Sequence, residues 1–136
     1  MVFKFENGLE IQKSRIGEEL RRTGFYVDHQ VRAGQQSIST SVGFHKIGLP
    51  EIVILGHNLD KAHQYCASLY LACQIGLAKL SANNRIQEVF DDEVSFSEIP
   101  DDVKKSHFLA SRLYYGSWDF SALKMDIGSR DSQRTT

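Results

Sequence analysis

The sequence predicts an α+β fold, a mixed and mainly antiparallel sheet with helices packed on one face. Three observations carry that expectation. Residues 25–44 hold two runs of period two joined by a glycine-containing loop, the pattern of a hairpin. Ile52-Val53-Ile54-Leu55 are four consecutive aliphatics, the mark of a strand covered on both sides, and a helical stretch follows them. Helical periodicity recurs near the start, the middle and the end of the chain, and the order helix, hairpin, strand, helix, short strands, helix, strand mixes antiparallel pairs with at least one crossover, which points to α+β.

Leu9 to Thr23 carries Leu9, Ile16 and Leu20 at near-helical spacing, ends on Arg21 and Arg22 and is followed by Gly24. This is a helix with cations at its carbonyl end and a glycine cap. Phe25, Val27, His29 and Val31 then alternate with Tyr26, Asp28 and Gln30 as a strand. After the loop 31–36, Ile38, Thr40, Val42 and Phe44 share one face of a second strand and Ser37, Ser39 and Ser41 the other. The loop 45–50 leads into the aliphatic strand 51–56, expected at the centre of the sheet. From Leu59 the apolar positions Ala62, Cys66, Leu69, Cys73, Leu77 and Leu80 form one stripe of a long helix, with Gly76 placed to end it early. Residues 88–90 and 94–96 read as short strands around the acidic turn Asp91-Asp92-Glu93. A further helix starts at Asp101 or Asp102 and runs to Tyr115, stopped by Gly116, and Leu123, Met125 and Ile127 alternate as the last strand. The run from Gly128 on has no apolar residue, so 1–127 is expected as one domain and 128–136 as a mobile polar tail.

Sixteen Lys and Arg against 17 Asp and Glu leave a net charge of -1 over 136 residues. That supplies no broad basic surface for a phosphate backbone, and nucleic acid is not an expected partner. No run approaches ~18 consecutive apolar residues, and the first residues lack the apolar stretch of a signal peptide, so no membrane partner and a cytoplasmic location are expected. Cys66 and Cys73 stand seven residues apart on one helix, roughly 10 Å along its axis, too far for a disulfide, and read as reduced packing residues. His29, His45, His57, His63 and His107 show neither H-x-x-x-H nor H-E-x-x-H spacing, so neither a metal nor another cofactor is expected. The glycine-elbow, Walker and dinucleotide fingerprints are absent as well.

The most specific piece is the junction from Ile52 through Gly56, His57 and Asn58 into the helix at Leu59. A buried strand that passes through Gly and Asn into a helix leaves the first N–H groups of that helix pointing outward, where a phosphate or carboxylate is attracted. Gly56 allows close backbone approach and His57 offers a donor. The plainer reading makes Asn58 an N-cap and Gly56 a turn residue, with Asp60 already supplying negative charge to the dipole. Ser39 and Ser41 offer hydroxyls that line a polar pocket or, on the plainer reading, the solvated face of an edge strand. His45 and Glu51 close the set; Glu51 with His45 or His57 makes an acid–base pair or, on the plainer reading, is a charged residue at a strand entrance.

Residues 39–56, with Ser41, Gly43, Phe44, Pro50, Glu51, Ile52 and Gly56 at the matching positions, resemble the core of a bacterial domain-of-unknown-function family found also in phage genomes. That core reads Tyr-Thr-x-Gly-Leu, a short loop, Pro-Glu-(Leu/Ile)-x-(Val/Ile)-x-Gly and a long helix. Here Thr40 stands where an aromatic is usual and Ser41 where Thr is usual, and the Pro-Trp element that many members carry toward the C-terminus is absent. The resemblance implies a single domain of helices and strands and brings no established activity.

These residues together predict non-enzymatic binding of a small phosphate-bearing or nucleotide-derived ligand by Ser39, Ser41, His45, Glu51, Gly56, His57 and Asn58. The chain is expected to pair as a homodimer through uncovered sheet edges. Two other readings stay open. One is a small hydrolase or transferase using His45 or His57 with Glu51. The other is an interaction module without a small ligand, presenting Phe108, Tyr114, Tyr115, Trp118 and Phe120.

Overall fold

Helix α1 spans Val2–Thr23 and buries Ile16 and Leu20, with Arg21 and Arg22 in its last turn. It begins seven residues before the expected Leu9, because the apolar spacing that marks the helix starts there while nothing in 2–8 breaks it. The computed structural model describes residues 2–76, 80, 85–86 and 93–128. Strands β1 (Tyr26–Gln30) and β2 (Ile38–Val42) form the expected hairpin, with Val27 opposite Ser41 and His29 opposite Ser39. A 3-10 turn at Phe44–Ile47 leads into β3 (Glu51–Leu55), and helix α2 covers Leu59–Gln74, ending just before Gly76 as the sequence allowed. Strands β4 (Arg85–Ile86) and β5 (Glu93–Glu98) follow, then helices α3 (Asp101–His107) and α4 (Leu109–Tyr115), and β6 (Ala122–Gly128) closes the order. The strand expected at 88–90, its acidic turn up to Asp92, the helical positions 77–79 and the tail from 129 lie outside the described residues.

Among the described residues the sheet has six strands in the order β1-β2-β3-β6-β5-β4. β3 and β6 pair in parallel, with Ile52 opposite Leu123, and the other described pairs are antiparallel. The α+β class and the mixed, mainly antiparallel sheet are as expected, and β3 is central.

The helices, however, lie on both faces rather than one. Ile52, Ile54, Leu123 and Met125 pack with Ala62, Cys66 and Leu69 of α2 on one side. On the other, Val42 packs with Ile16 and Leu20 of α1 and Ala110 of α4, while Ile38 and Val53 pack with Phe108 and Phe120. The physical reason was already in the sequence. Four consecutive aliphatics put Val53 on the side opposite Ile52 and Ile54, and Val53 also needs cover.

Two smaller differences have local causes. The helix expected from Asp101 to Tyr115 breaks at Phe108 (φ −94°, ψ 47°), a fully buried ring drawn under the sheet against Phe120. Phe44 does not continue the face of Val42. The chain turns at Gly43, and Phe44 packs on the α2 side with Phe25 and Tyr70.

Candidate functional site

β3 begins with a carboxylate that the surrounding chain encloses. Glu51 is fully buried. Its Oε1 accepts from Ser41 Oγ at 2.7 Å and Phe44 N–H at 3.3 Å. Its Oε2 accepts from Gly43 N–H at 3.0 Å, His45 N–H at 3.1 Å and the Tyr115 hydroxyl. Three successive backbone N–H groups curled around one anion make a nest, and here the anion is the protein's own side chain. Gly43 makes this curl possible, at φ +117° with Gly24 O 2.5 Å from where a Cβ would stand. Gly43 N–H also meets the Tyr115 oxygen at 2.7 Å, and Ser41 Oγ accepts from Ile52 N–H at 2.9 Å.

A carboxylate offers about four lone-pair directions, and five donors already occupy these. No cation is among its hydrogen-bond partners. Burial pushes the Glu51 pKa up, while the bonds from Tyr115, Ser41, His45 and Gly43 pull it down, with burial the larger effect. Burial also holds the Tyr115 phenol well above its usual range, reinforced by the neighbouring Glu51 charge. Cys66, buried and near the same charge, is pushed up to about 12, so its thiol stays protonated and unreactive at neutral pH. Cys66 and Cys73 are free thiols, as the spacing required.

The opposite end of β3 leads into α2. Asn58 is the N-cap, its Oδ1 accepting from Lys61 N–H at 2.8 Å. The first intrahelical bond runs from Ala62 N–H to Asn58 O at 3.0 Å, so the N–H groups of Leu59 and Asp60 precede the helical ladder. Gly56 turns the chain at φ +80°. The His57 carbonyl accepts from Ser37 Oγ at 2.7 Å, and its half-buried ring packs edge-on to Tyr65 at 5.8 Å.

The structure therefore divides the residues that the sequence grouped. Ser41, the His45 backbone and Glu51 meet at the start of β3. Gly56, His57 and Asn58 stand at its other end, on the order of 13 Å away at ~3.3 Å per residue. Ser39 lies between, opposite Ile54, with its hydroxyl 2.7 Å from His29 Nδ1. β2 is an inner strand and both serines are buried, so neither the solvated edge face nor an open pocket describes them. The His45 side chain is exposed and its ring stands edge-on to Tyr115 at 5.1 Å, turned to aromatic contact rather than to Glu51. Phe108 and Phe120 are core residues, with Tyr115 and Trp118 half-buried beside them, while Tyr114 is half-buried against the cluster of Ile16, Leu20, Val42 and Ala110.

Beside the start of α2 a cleft of about 460 Å³ opens along the outer side of β1. Arg15 and Glu18 of α1, Tyr26 and Val27 of β1, and Asp60 and His63 of α2 line it. Glu19 also borders it but is held by Arg22 at 2.8 Å. The volume is within the ~300–1,000 Å³ of small-molecule sites. None of the seven residues that the sequence grouped lines this cleft; the sequence pointed to the helix start at Asn58, next to it, and did not single out for it Arg15, Tyr26 and His63, which come from three separated segments and carry no local motif. It missed Tyr115 as well, since that side chain reaches Glu51 across 64 residues of chain.

Among the described residues no group of His, Cys, Asp and Glu is placed to hold a metal ion, and no helix is long and apolar enough to cross a membrane. A family model described as a domain of unknown function, DUF4262, matches residues 19–131. Among curated proteins and solved structures, none matches the chain.

Proposed function

The chain belongs to the DUF4262 family, and on that premise we propose that it acts by binding a small phosphate-bearing or nucleotide-derived ligand without transforming it. The ligand sits in the cleft between α1, β1 and the start of α2. The observation that carries this reading is the meeting, in one concave site of suitable size, of the Arg15 guanidinium and the His63 imidazole with the open end of a sixteen-residue helix. Those groups suit a phosphate. Glu18 and Asp60 on the walls suit the amino groups of a base, and Tyr26 and Val27 supply apolar surface for its ring. The sealed Glu51 supports binding over acid–base chemistry, because it has no lone pair left for a substrate proton.

In this proposal Ser41, Gly43, Phe44, Glu51 and Ile52, five of the residues that carry the motif resemblance, serve as scaffold. They build the turn that anchors β3, and β3 in turn delivers the chain to Asn58. A bacterial or phage source and a cytoplasmic location belong to the same proposal.

A second reading has one observation of its own. β1 ends the sheet, and the cleft follows its unpaired side, so an extended peptide has a place to add as a further strand. Calorimetry with a panel of nucleotides and inorganic phosphate separates the two. The ligand reading predicts one-to-one binding that Arg15→Ala and His63→Ala each weaken about tenfold, with the nucleotide recovered intact. Binding of no panel member, or affinity that both variants leave unchanged, would overturn it.

A further inference from the structure

We infer that the base taken by the cleft at β1 is guanine, read along its Watson–Crick edge by the carboxylate of Glu18. The inference rests on the ligand reading above and narrows it to one nucleotide class. It follows from what the walls offer a base once Arg15, His63 and the start of α2 are turned to a phosphate. The polar side chains that remain are Glu18, Glu19, Asp60 and the Tyr26 phenol, and among the described residues no Lys, Asn, Gln, Ser or Thr lines the cleft. Such walls are rich in acceptors and poor in donors, so the base must bring the donors.

The carboxylates are not equivalent. Glu19 is occupied, since Arg22 Nη2 reaches both its oxygens at 2.8 Å. Asp60 stands in the first turn of α2, beside the N–H groups that serve the phosphate, where the helix dipole already matches its charge. Glu18 is exposed on α1 and has no hydrogen bond or ion pair among the described residues, so both of its oxygens are free for a ligand.

A free carboxylate presents two acceptors side by side and is best satisfied by two adjacent donors. Guanine alone among the common bases has that pair, its ring N1–H beside the C2 amino group. Adenine and cytosine set an amino group beside a ring-nitrogen acceptor, and uracil and thymine set one N–H between two carbonyls. A carboxylate laid on any of those edges gains one bond and meets a lone pair with its other oxygen. The carbonyl at the far end of the guanine edge needs a donor, and Tyr26 is the neutral one in the cleft. Burial, with the Asp28 charge, holds its phenol above the usual pKa and keeps the proton on the oxygen.

Calorimetry with the monophosphates of guanosine, inosine, xanthosine, adenosine, cytidine and uridine, on the full chain and on Glu18→Gln, tests this. Inosine lacks the C2 amino group and xanthosine carries a carbonyl in its place, so these two isolate the donor that the inference turns on. The wild type is expected to bind guanosine monophosphate tightest, with every other member weaker by about tenfold or more. Gln presents one acceptor and one donor, the complement of the xanthosine N1–H and C2 carbonyl. Glu18→Gln is therefore expected to bind xanthosine monophosphate more tightly than guanosine monophosphate, while its melting stays as in the wild type because the position is exposed. Nucleotides bound without preference for guanine, or a preference that Glu18→Gln leaves intact, overturn the inference and leave the ligand reading standing. Binding of none of the monophosphates overturns both.

Discussion

Removing the Glu51 carboxylate is expected to cost the fold far more than neutralising it. In Glu51→Ala the N–H groups of Gly43, Phe44 and His45 lose their common acceptor inside the protein, while Ser41 and Tyr115 are free to turn their hydroxyls elsewhere. Gly43 N–H keeps the Tyr115 oxygen at 2.7 Å, so the N–H groups of Phe44 and His45 are the donors left unsatisfied, and at ~1–3 kcal/mol each, together with the cavity left by the side chain, they give a loss of about 3–6 kcal/mol. Against a usual net stability of ~5–15 kcal/mol, that leaves a barely folded chain. Glu51→Gln keeps the shape and one carbonyl oxygen. With that oxygen toward Gly43, His45 and Tyr115, its amide group faces Phe44 N–H and Ser41 Oγ, so one backbone bond is lost and the remaining bonds become neutral. The charge no longer has to be buried, which offsets part of the loss, and about 1–3 kcal/mol remains. For a chain of this size that lowers the melting midpoint by ~5–10 °C. Urea denaturation followed by far-ultraviolet circular dichroism and by Trp118 fluorescence measures both variants. Trp118 is the single tryptophan, and its ring centre is 6.1 Å from that of Phe120 in the neighbouring core. A loss under about 1 kcal/mol for Glu51→Ala would refute the cage, and equal losses for the two variants would refute the assignment of the effect to hydrogen bonds.

Other outcomes follow from single features. Thr40 is buried and its hydroxyl has no partner, so Thr40→Val is expected to raise stability by about 1 kcal/mol in the same denaturation assay. Asn58→Ala removes the cap bond to Lys61 N–H and should lower stability by about 1 kcal/mol whether or not ligand is present. Gly43→Ala places a Cβ 2.5 Å from Gly24 O at φ +117° and should cost about 3 kcal/mol or more, whereas Gly56→Ala meets only the flexible end of Gln36 at 3.2 Å and should cost about 1 kcal/mol in thermal melts. Alkali is expected to unfold the protein with Tyr115 contributing. Its folded pKa is raised above the ordinary 10.0, so the stability it contributes is fully present below pH 10 and is lost as pH rises from there toward the folded value. Tyr115→Phe, less stable at neutral pH, should show a flatter decline above pH 10 in a pH series of melts.

The parts of the fold that the sequence made legible are those fixed by local spacing. The hairpin, the central aliphatic strand and the cap at Asn58 each follow from residues close together in the chain. The two-sided placement of the helices was legible too, in Val53 between Ile52 and Ile54, yet the expectation of helices on one face set that alternation aside. Ser39 and Ser41 read as the lining of a polar pocket or as a solvated edge face, and neither holds, because a hydroxyl reads alike on a solvated strand and beside a buried carboxylate. What separates the two is the partner, and Tyr115 and the curl at Gly43 are brought to Glu51 only by tertiary structure. The cleft was, for the same reason, not legible. The cap at Asn58 beside it has a local signature, but Arg15 and Tyr26 arrive from α1 and β1, and none of the residues grouped from the sequence lines it.

The central claim is that the cleft binds a ligand and leaves it unchanged, and a nitrogen–proton correlation spectrum recorded during nucleotide titration, with phosphorus spectra of the same sample, tests it most directly. The account predicts saturable shifts at the amides of Arg15, Tyr26 and Leu59 to His63, none at Gly43 to His45, and a phosphorus spectrum without new resonances. Shifts centred on Gly43 to His45, a phosphorus signal from a product, or no shift with any nucleotide of the panel would contradict it.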